Sequence, residues 1–195
     1  AKGDRRDFPM NSSDLTGQLL IALPTLEDSN FENSVVYLCS HSEEGAMGLV
    51  LNQPSTLTLG QILEQLEIEA EADAVREDPV FVGGPVQQEQ GFVLHSPEQL
   101  WDSSMPVNEF SALTSSRDIL KAIASGRGPE HYRLMLGYAG WGSGQLESEL
   151  QQDAWLTAPA TPELLFDTPF PDLREAAAQV LGVDMSLLIQ QSGHA

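Results

Sequence analysis

Cationic side chains are scarce in this chain: nine Lys and Arg stand against 29 Asp and Glu, giving a formal net charge of −20 over 195 residues. Lys2, Arg5 and Arg6 lie at the N-terminus beside Asp4, Asp7 and Asp14, and no further Lys or Arg occurs until Arg76. Nucleic-acid affinity comes largely from neutralising phosphates with such side chains. Direct DNA binding is therefore a poor first reading, and a patch of Arg117, Lys121, Arg127 and Arg133 would have to work against an acidic body. That body repels phosphate over a Debye length of about 8 Å at physiological salt. Such acidity serves solubility or the recognition of basic partners. Cysteine is nearly absent: Cys39 stands alone, so no intramolecular disulfide forms and a reducing compartment is compatible. No apolar run approaches the roughly 20 residues that span a bilayer, and Ala1-Lys2-Gly3-Asp4 lacks the apolar core of a signal peptide. The expectation is a soluble cytoplasmic protein.

What is present is enough for one globular domain with a substantial core, since 41% of residues are apolar. Residues 1–14 are polar and read as a flexible tail, with the domain expected over 15–195. Leu19–Leu23, stopped by Pro24, reads as a buried strand, and Val35–Cys39 as a second one rich in β-branched and aromatic residues. Met47–Leu51 is a third, after the Glu43-Glu44-Gly45 turn, and the spacing predicts a hairpin of the second and third strands. Thr58 followed by Gln61 matches a capping box, with Ile62, Leu63 and Leu66 on the inward face of the helix. Residues 64–78 carry seven carboxylates against Arg76 and read as a solvated helix face plus a mobile loop. Further strands are expected at Pro79–Val82, Gln90–His95 and Tyr132–Tyr138. Helices are expected after Ser115 or Ser116, over Gln145–Gln151, after Thr161-Pro162, and from Pro171 to Leu181 with Gly182 at its end. Trp155-Leu156 is extended. Strands and helices mix without a βαβ rhythm, which predicts α+β with a mixed sheet.

Glycine is concentrated where strand gives way to helix, in Gly137-Tyr138-Ala139-Gly140-Trp141-Gly142-Ser143-Gly144. Such clustering marks either a ligand cradle or a tight packing corner. A phosphate cradle is disfavoured, because the loop lacks Lys and Arg and Glu147 and Glu149 already complement the helix dipole. The packing corner, with Trp141 inward, is the stronger reading. Ser143 lacks the glycine spacing of a nucleophile elbow. Cys39 and His41, two apart on a strand, share a face if the strand is continuous, and a thiol beside an imidazole is the weak candidate for catalysis. His41, His95, His131, His194 and Cys39 show no zinc spacing, so neither a metal nor a cofactor is expected.

Several ordered blocks carry a more specific signal: Leu20-Ile21-Ala22-Leu23-Pro24, Gly45-Ala46-Met47-Gly48-Leu49-Val50-Leu51-Asn52, Gly83-Gly84-Pro85-Val86, Gly91-Phe92-Val93-Leu94-His95, Gly137-Tyr138-Ala139-Gly140-Trp141 and Gly144-Gln145-Leu146-Glu147. From about Leu15 onward the chain resembles the bacterial YqgE/AlgH family. The resemblance implies a single α+β domain whose branched mixed sheet curls into a pseudo-barrel flanked by helices. It implies a cytoplasmic bacterial protein without an established enzymatic activity. One branch is named as a transcriptional regulator of alginate synthesis, although no DNA-binding motif comes with the family. Gln53 and Gln90 stand where the family usually has basic residues, and Ser40 stands where a carboxylate often accompanies the strand-end histidine.

These observations converge on a regulatory or adaptor protein acting through a protein partner or small ligand, without a reaction of its own. Its expected groove lies where the Gly83-Gly84-Pro85 turn, the Gly137–Gly144 loop and the hairpin around Met47–Asn52 meet. Gly48 and Gly140 would shape it, and Asn52, His95, Trp141 and Gln145 would supply contacts. The alternative is an enzyme or small-molecule binder in which Cys39 works with His41 or His95.

Overall fold

The computed structural model describes residues 14–24, 31–71 and 73–182. The tail expected over residues 1–14 lies outside them except for Asp14, as do residues 183–195 with His194. The strands in chain order are β1 (Gln18–Ala22), β2 (Val35–Ser42), β3 (Gly45–Val50), β4 (Pro54–Thr58), β5 (Pro79–Val82), β6 (Val86–His95), β7 (Met105–Asn108), β8 (Ser111–Thr114), β9 (Tyr132–Trp141) and β10 (Trp155–Pro159). They form one sheet in the order β10-β1-β2-β3-β9-β6-β8-β7, with β4 paired to β5 off this path. Neighbours run antiparallel except β5, which lies parallel to β9, so the sheet is mixed.

The sheet branches at β9. On one edge of that strand, Ala139–Trp141 pair with β3 while Leu134–Leu136 pair with β5. Between the two sits a junction made of backbone. Val50 N–H donates to Gly83 O and Gly83 N–H donates to Leu136 O, each at 2.8 Å. A Cβ on Gly84 would stand 2.1 Å from the Tyr138 carbonyl carbon, and one on Gly83 would stand 2.4 Å from Gly137 O. Gly137 itself has φ of 76°, a conformation that costs other residues free energy. The glycine-rich blocks therefore form the packing corner that lets two strand pairs share one partner. Beyond this corner β9 continues as strand through Gly140 to Trp141, further than the expected end at Tyr138.

The sheet also curls, and it stays open, with β10 and β7 as its ends. Its inner face carries the largest apolar cluster, including Leu19, Tyr37, Leu49, Phe81, Leu94 and Met135, closed over by α5 (Leu173–Gln179) and by a π-helical turn at Glu163–Asp167. On the outside, α4 (Gln145–Gln151) packs Leu146 with Trp141 and Trp155 against β1 and β2. On the other half of the outside, α1 (Leu59–Gln65) and α3 (Arg117–Ala124) bring Leu59, Leu63, Ile119 and Ile123 to Val80, Val93 and Leu134. Strand β2 is thus sandwiched between two cores, and Val35–Cys39 are buried on both faces, as their continuous apolar run requires.

Local signals hold in most elements. The hairpin of β2 and β3 forms, and Thr58 and Gln61 make the reciprocal capping box of α1. Helix α4 spans the expected residues. Thr161 Oγ1 accepts the Leu164 N–H at the start of the π-helical turn. The acidic stretch breaks after α1 and resumes as a single turn, α2 (Asp73–Arg76). The last helix is shorter than expected, preceded by a 3-10 turn at Phe170–Asp172. Strands β4, β7 and β8 are additions to the sequence reading, since Pro54, Pro106 and Asn108 interrupt the alternation that marks a strand. No helix among the described residues is long and apolar enough to cross a membrane.

Candidate functional site

Cys39 and His41 do not share a face. The pairing of β2 with β3 slips between Leu38 and Ser40, so Cys39 is an extra residue bulged out of the ladder. A bulge inverts the alternation beyond it. Cys39 points into the inner core with Tyr37, and its thiol donates to Tyr37 O at 3.7 Å. Burial pushes that thiol up to about 12, far from a reactive thiolate. His41 instead turns outward to α4, where its Nε2–H donates to Glu147 Oε2 at 2.9 Å. Its Nδ1 accepts the Leu15 N–H at 2.9 Å, which fixes the tautomer. Glu147 thus supplies the carboxylate partner that Ser40 lacks, from 106 residues along the chain. Its own backbone N–H at the start of α4, and then His41, hold its carboxyl below the usual range. Only a fold-level view reveals this pair. In the sequence Glu147 reads simply as complement to the helix dipole.

The three expected loops do meet, but largely by backbone contact. Gly83 and Gly84 are buried against Gly137 and Tyr138, and Pro85 is exposed beside them. Gly48 faces outward, where a Cβ would stand 2.7 Å from Val36 Cγ1. Asn52 is a structural tie: its Oδ1 accepts the Val35 N–H and its Nδ2 donates to Asn33 O, both at 3.0 Å. Gln145 closes the turn into α4 by accepting the Gly142 N–H at 2.9 Å and donating to Glu149. Of the expected groove residues, Gly140 and Trp141 line an open concavity of about 520 Å³. It is a dish on the strip of β2, β3, β9 and β6, floored by Met47, Val86 and Tyr138 and rimmed by Ser40, Ser42 and Glu44. The floor is half-buried and the rim is exposed.

His95 lies elsewhere. It is registered with Tyr132 at the other end of β9, whereas Ala46 is registered with Trp141. At about 3.3 Å per residue the two ends are about 30 Å apart, too far for one ordinary ligand pocket. The imidazole is fully buried. Its Nδ1–H donates to Ser96 O at 2.8 Å and its Nε2 accepts from the Thr114 hydroxyl at 2.7 Å. Thr114 in turn takes the Ser104 hydroxyl at 2.7 Å, and Ser104 takes the Trp101 N–H. Desolvation lowers the His95 pKa, which keeps it neutral inside this closed relay. Its role is to tie β6 to β8 and to the loop before β7.

Glu149 is a tie that the sequence reading missed. One carboxylate oxygen accepts both indole N–H groups, Trp141 at 3.0 Å and Trp155 at 2.8 Å, while the other takes the Gln145 amide. The two indoles meet edge to face at 6.0 Å, and Phe31 packs on both. Burying two indoles satisfies the hydrophobic core only if each N–H finds an acceptor. A glutamate at the inward position of α4 meets that need for both.

A branched, open α+β sheet with a backbone glycine junction and an exposed inner-face dish thus defines the class. The chain belongs to the AlgH-like family, whose sequence profile matches residues 19–186. It is 57% identical to a UPF0301 protein of Thioalkalivibrio sulfidiphilus over 94% of this chain and 98% of that one. It is 52% identical to one from Alcanivorax borkumensis over 95% and 98%. The solution structure of the AlgH protein from Pseudomonas aeruginosa matches with a TM-score of 0.78 at 45% identity, over the whole of both chains. A Corynebacterium diphtheriae crystal structure shares the fold at a TM-score of 0.68 and 20% identity, over 89% and 91%. None of these names states a reaction or a ligand.

Proposed function

We propose that this chain is a cytoplasmic regulatory or adaptor protein that binds a protein partner through the inner-face dish, with no covalent step of its own. The supporting observation is the dish itself. Half-buried Met47, Val86 and Tyr138 form an apolar floor on rigid strands, bordered by exposed Ser40, Ser42 and Glu44. An apolar centre with a polar, water-exposed rim is the anatomy of a protein contact, and its openness suits a surface better than an engulfed small molecule. The overall charge favours a partner whose contact surface carries Lys or Arg around an apolar centre.

The rival reading, an enzyme working through Cys39 with His41 or His95, loses its geometric basis with the thiol buried and both histidines engaged elsewhere. Four of the described cations are committed within the fold, which weighs against direct DNA binding, although Lys121 and Arg127 are exposed. Arg76, Arg117, Arg133 and Arg174 each donate to backbone carbonyls. Affinity purification from the native host tests the proposal, comparing the natural chain with Met47→Arg and Tyr138→Arg. A discrete partner retained by the natural chain and lost from both folded variants supports it. Retention by both variants removes the dish from the account, and retardation of DNA at low salt would revive the nucleic-acid reading.

A further inference from the structure

A second concavity, of about 330 Å³, lies at the opposite end of β9 from the dish. It opens between the start of α1, the residues leading into β5 and β9, and the π-helical turn, so both the inner and outer layers contribute to its wall. Leu59, Pro79 and Leu134 give it an apolar side. Two carboxylates, Asp78 and Glu130, also line it, together with His131 and Phe166. The volume falls within the range of small-molecule sites.

The polar groups around it are unevenly matched. Asp78 accepts the Tyr132 hydroxyl through Oδ2, and no partner engages its Oδ1 among the described residues. Glu130 is largely exposed and stands 3.3 Å from His131 Nε2, while Asp167 stands 3.9 Å from His131 Nδ1. The imidazole stacks on Phe166 at 5.6 Å and 20°, forming a flat π surface beside two carboxylates, Glu130 and Asp167. One cation, Arg133, is in the wall; its charge interacts with that of Asp167, but its N–H groups are spent on backbone oxygens. Its Nε donates to Leu165 O at 2.6 Å and its Nη2 to Thr168 O at 2.9 Å, with the guanidinium 5.4 Å above Phe81. The wall therefore already holds one guanidinium by an aromatic face and oxygen acceptors, and leaves Asp78 and Glu130 without a Lys or Arg partner among the described residues, beside a second aromatic surface. Electrostatics and cation–π attraction both favour a positive guest.

We propose that this cavity binds an organic cation: an amine or guanidinium head on a short aliphatic stem. The head sits between Asp78 and Glu130 against the aromatic wall, and the stem lies along Leu59, Pro79 and Leu134. The guest is either a free small cation or a Lys or Arg side chain presented by another protein. This site is separate from the dish, and the proposal stands or falls independently of it.

Titration of the isotopically labelled full chain with butylguanidinium, followed by amide resonances, tests this. Saturable shifts at Tyr132, Phe166 and Leu59 in the millimolar range, absent with butyrate, are expected. Glu130→Gln, a change at an exposed side chain, should weaken the binding roughly two- to fivefold, the scale of an exposed ion pair. Asp78→Asn should do the same, and the amide spectrum of each variant shows whether it remains folded. N-acetylarginine methylamide run in parallel distinguishes the two sources. Tighter binding than butylguanidinium points to a protein side chain, and weaker binding points to a free cation. No saturable shift at these residues, equal shifts with butyrate, or affinity unchanged in folded Glu130→Gln would overturn the proposal.

Discussion

The Tyr37 hydroxyl lies 2.7 Å from the Ser111 hydroxyl, although their strands, β2 and β8, stand four places apart in the sheet. Four strand spacings in a flat sheet measure about 19 Å. The contact is therefore a direct measure of the curl. Asn108 completes a ring, donating to Tyr37 Oη at 2.8 Å while accepting from Ser111 at 3.0 Å. Each member donates to one neighbour and accepts from the other, so a buried polar set inside an apolar core is satisfied.

Tyr37→Phe removes one member and leaves the Asn108 amide and the Ser111 hydroxyl short of a partner. A loss of about 1–3 kcal/mol is expected, the cost of orphaning a buried polar group. Urea unfolding of the two chains measures it. A loss below about 0.5 kcal/mol would mean that the ring does not secure the curl.

Alkali should destabilise the fold in two overlapping steps. Burial pushes the Tyr37 hydroxyl from 10.0 up to about 12, and burial pushes the Cys39 thiol from 9.0 up to about 12. The unfolded chain thus loses these protons at lower pH than the folded chain does. Stability from this source is complete below about pH 9 and falls as pH rises through about 12. Urea midpoints measured across that window should decline, and Cys39→Ala and Tyr37→Phe should each flatten part of the slope. An unchanged slope in Cys39→Ala would place the thiol in contact with water.

The same burial predicts that Cys39 resists alkylation. In native protein near neutral pH, iodoacetamide should modify it no faster than the chain unfolds, while denatured protein reacts at once. Rapid native labelling would restore the thiol as a chemical candidate.

The glycines divide sharply by cost. Gly84→Ala drives a Cβ to 2.1 Å from Tyr138 backbone, so a loss of about 3 kcal/mol or more, or failure to fold, is expected. Gly144→Ala keeps open space around its Cβ and strains only a φ of 74°, for about 1 kcal/mol. Thermal melts of the pair distinguish a branch-point glycine from a turn glycine. Equal losses would contradict the junction described for β9.

Much of this architecture was legible locally. The β-branched run of β2, the Thr58–Gln61 box and the glycine before α4 each encode their element within a few residues. The glycine blocks also announced a corner correctly. What the sequence hid depends on distant partners. The bulge at Cys39 is set by its pairing with β3, and it alone separates the thiol from His41. Glu147 and Glu149 reveal their roles only once α4 is laid against His41 and the two indoles. Strand β7 carries Pro106, tolerated because it lies at the sheet's end, a placement that no local pattern announces. The similar blocks shared with the AlgH-like family supplied the branched, curled sheet that periodicity by itself did not.

The central claim is that the dish receives a protein partner. A photo-crosslinking residue placed at Met47, in the native host, tests it most directly against the same residue placed at Glu64 on the far outer helix. The account predicts one discrete crosslinked protein from Met47 that is missing from Glu64 and is lost when Tyr138→Arg is added. Identical products from both positions, or none from Met47, would contradict it.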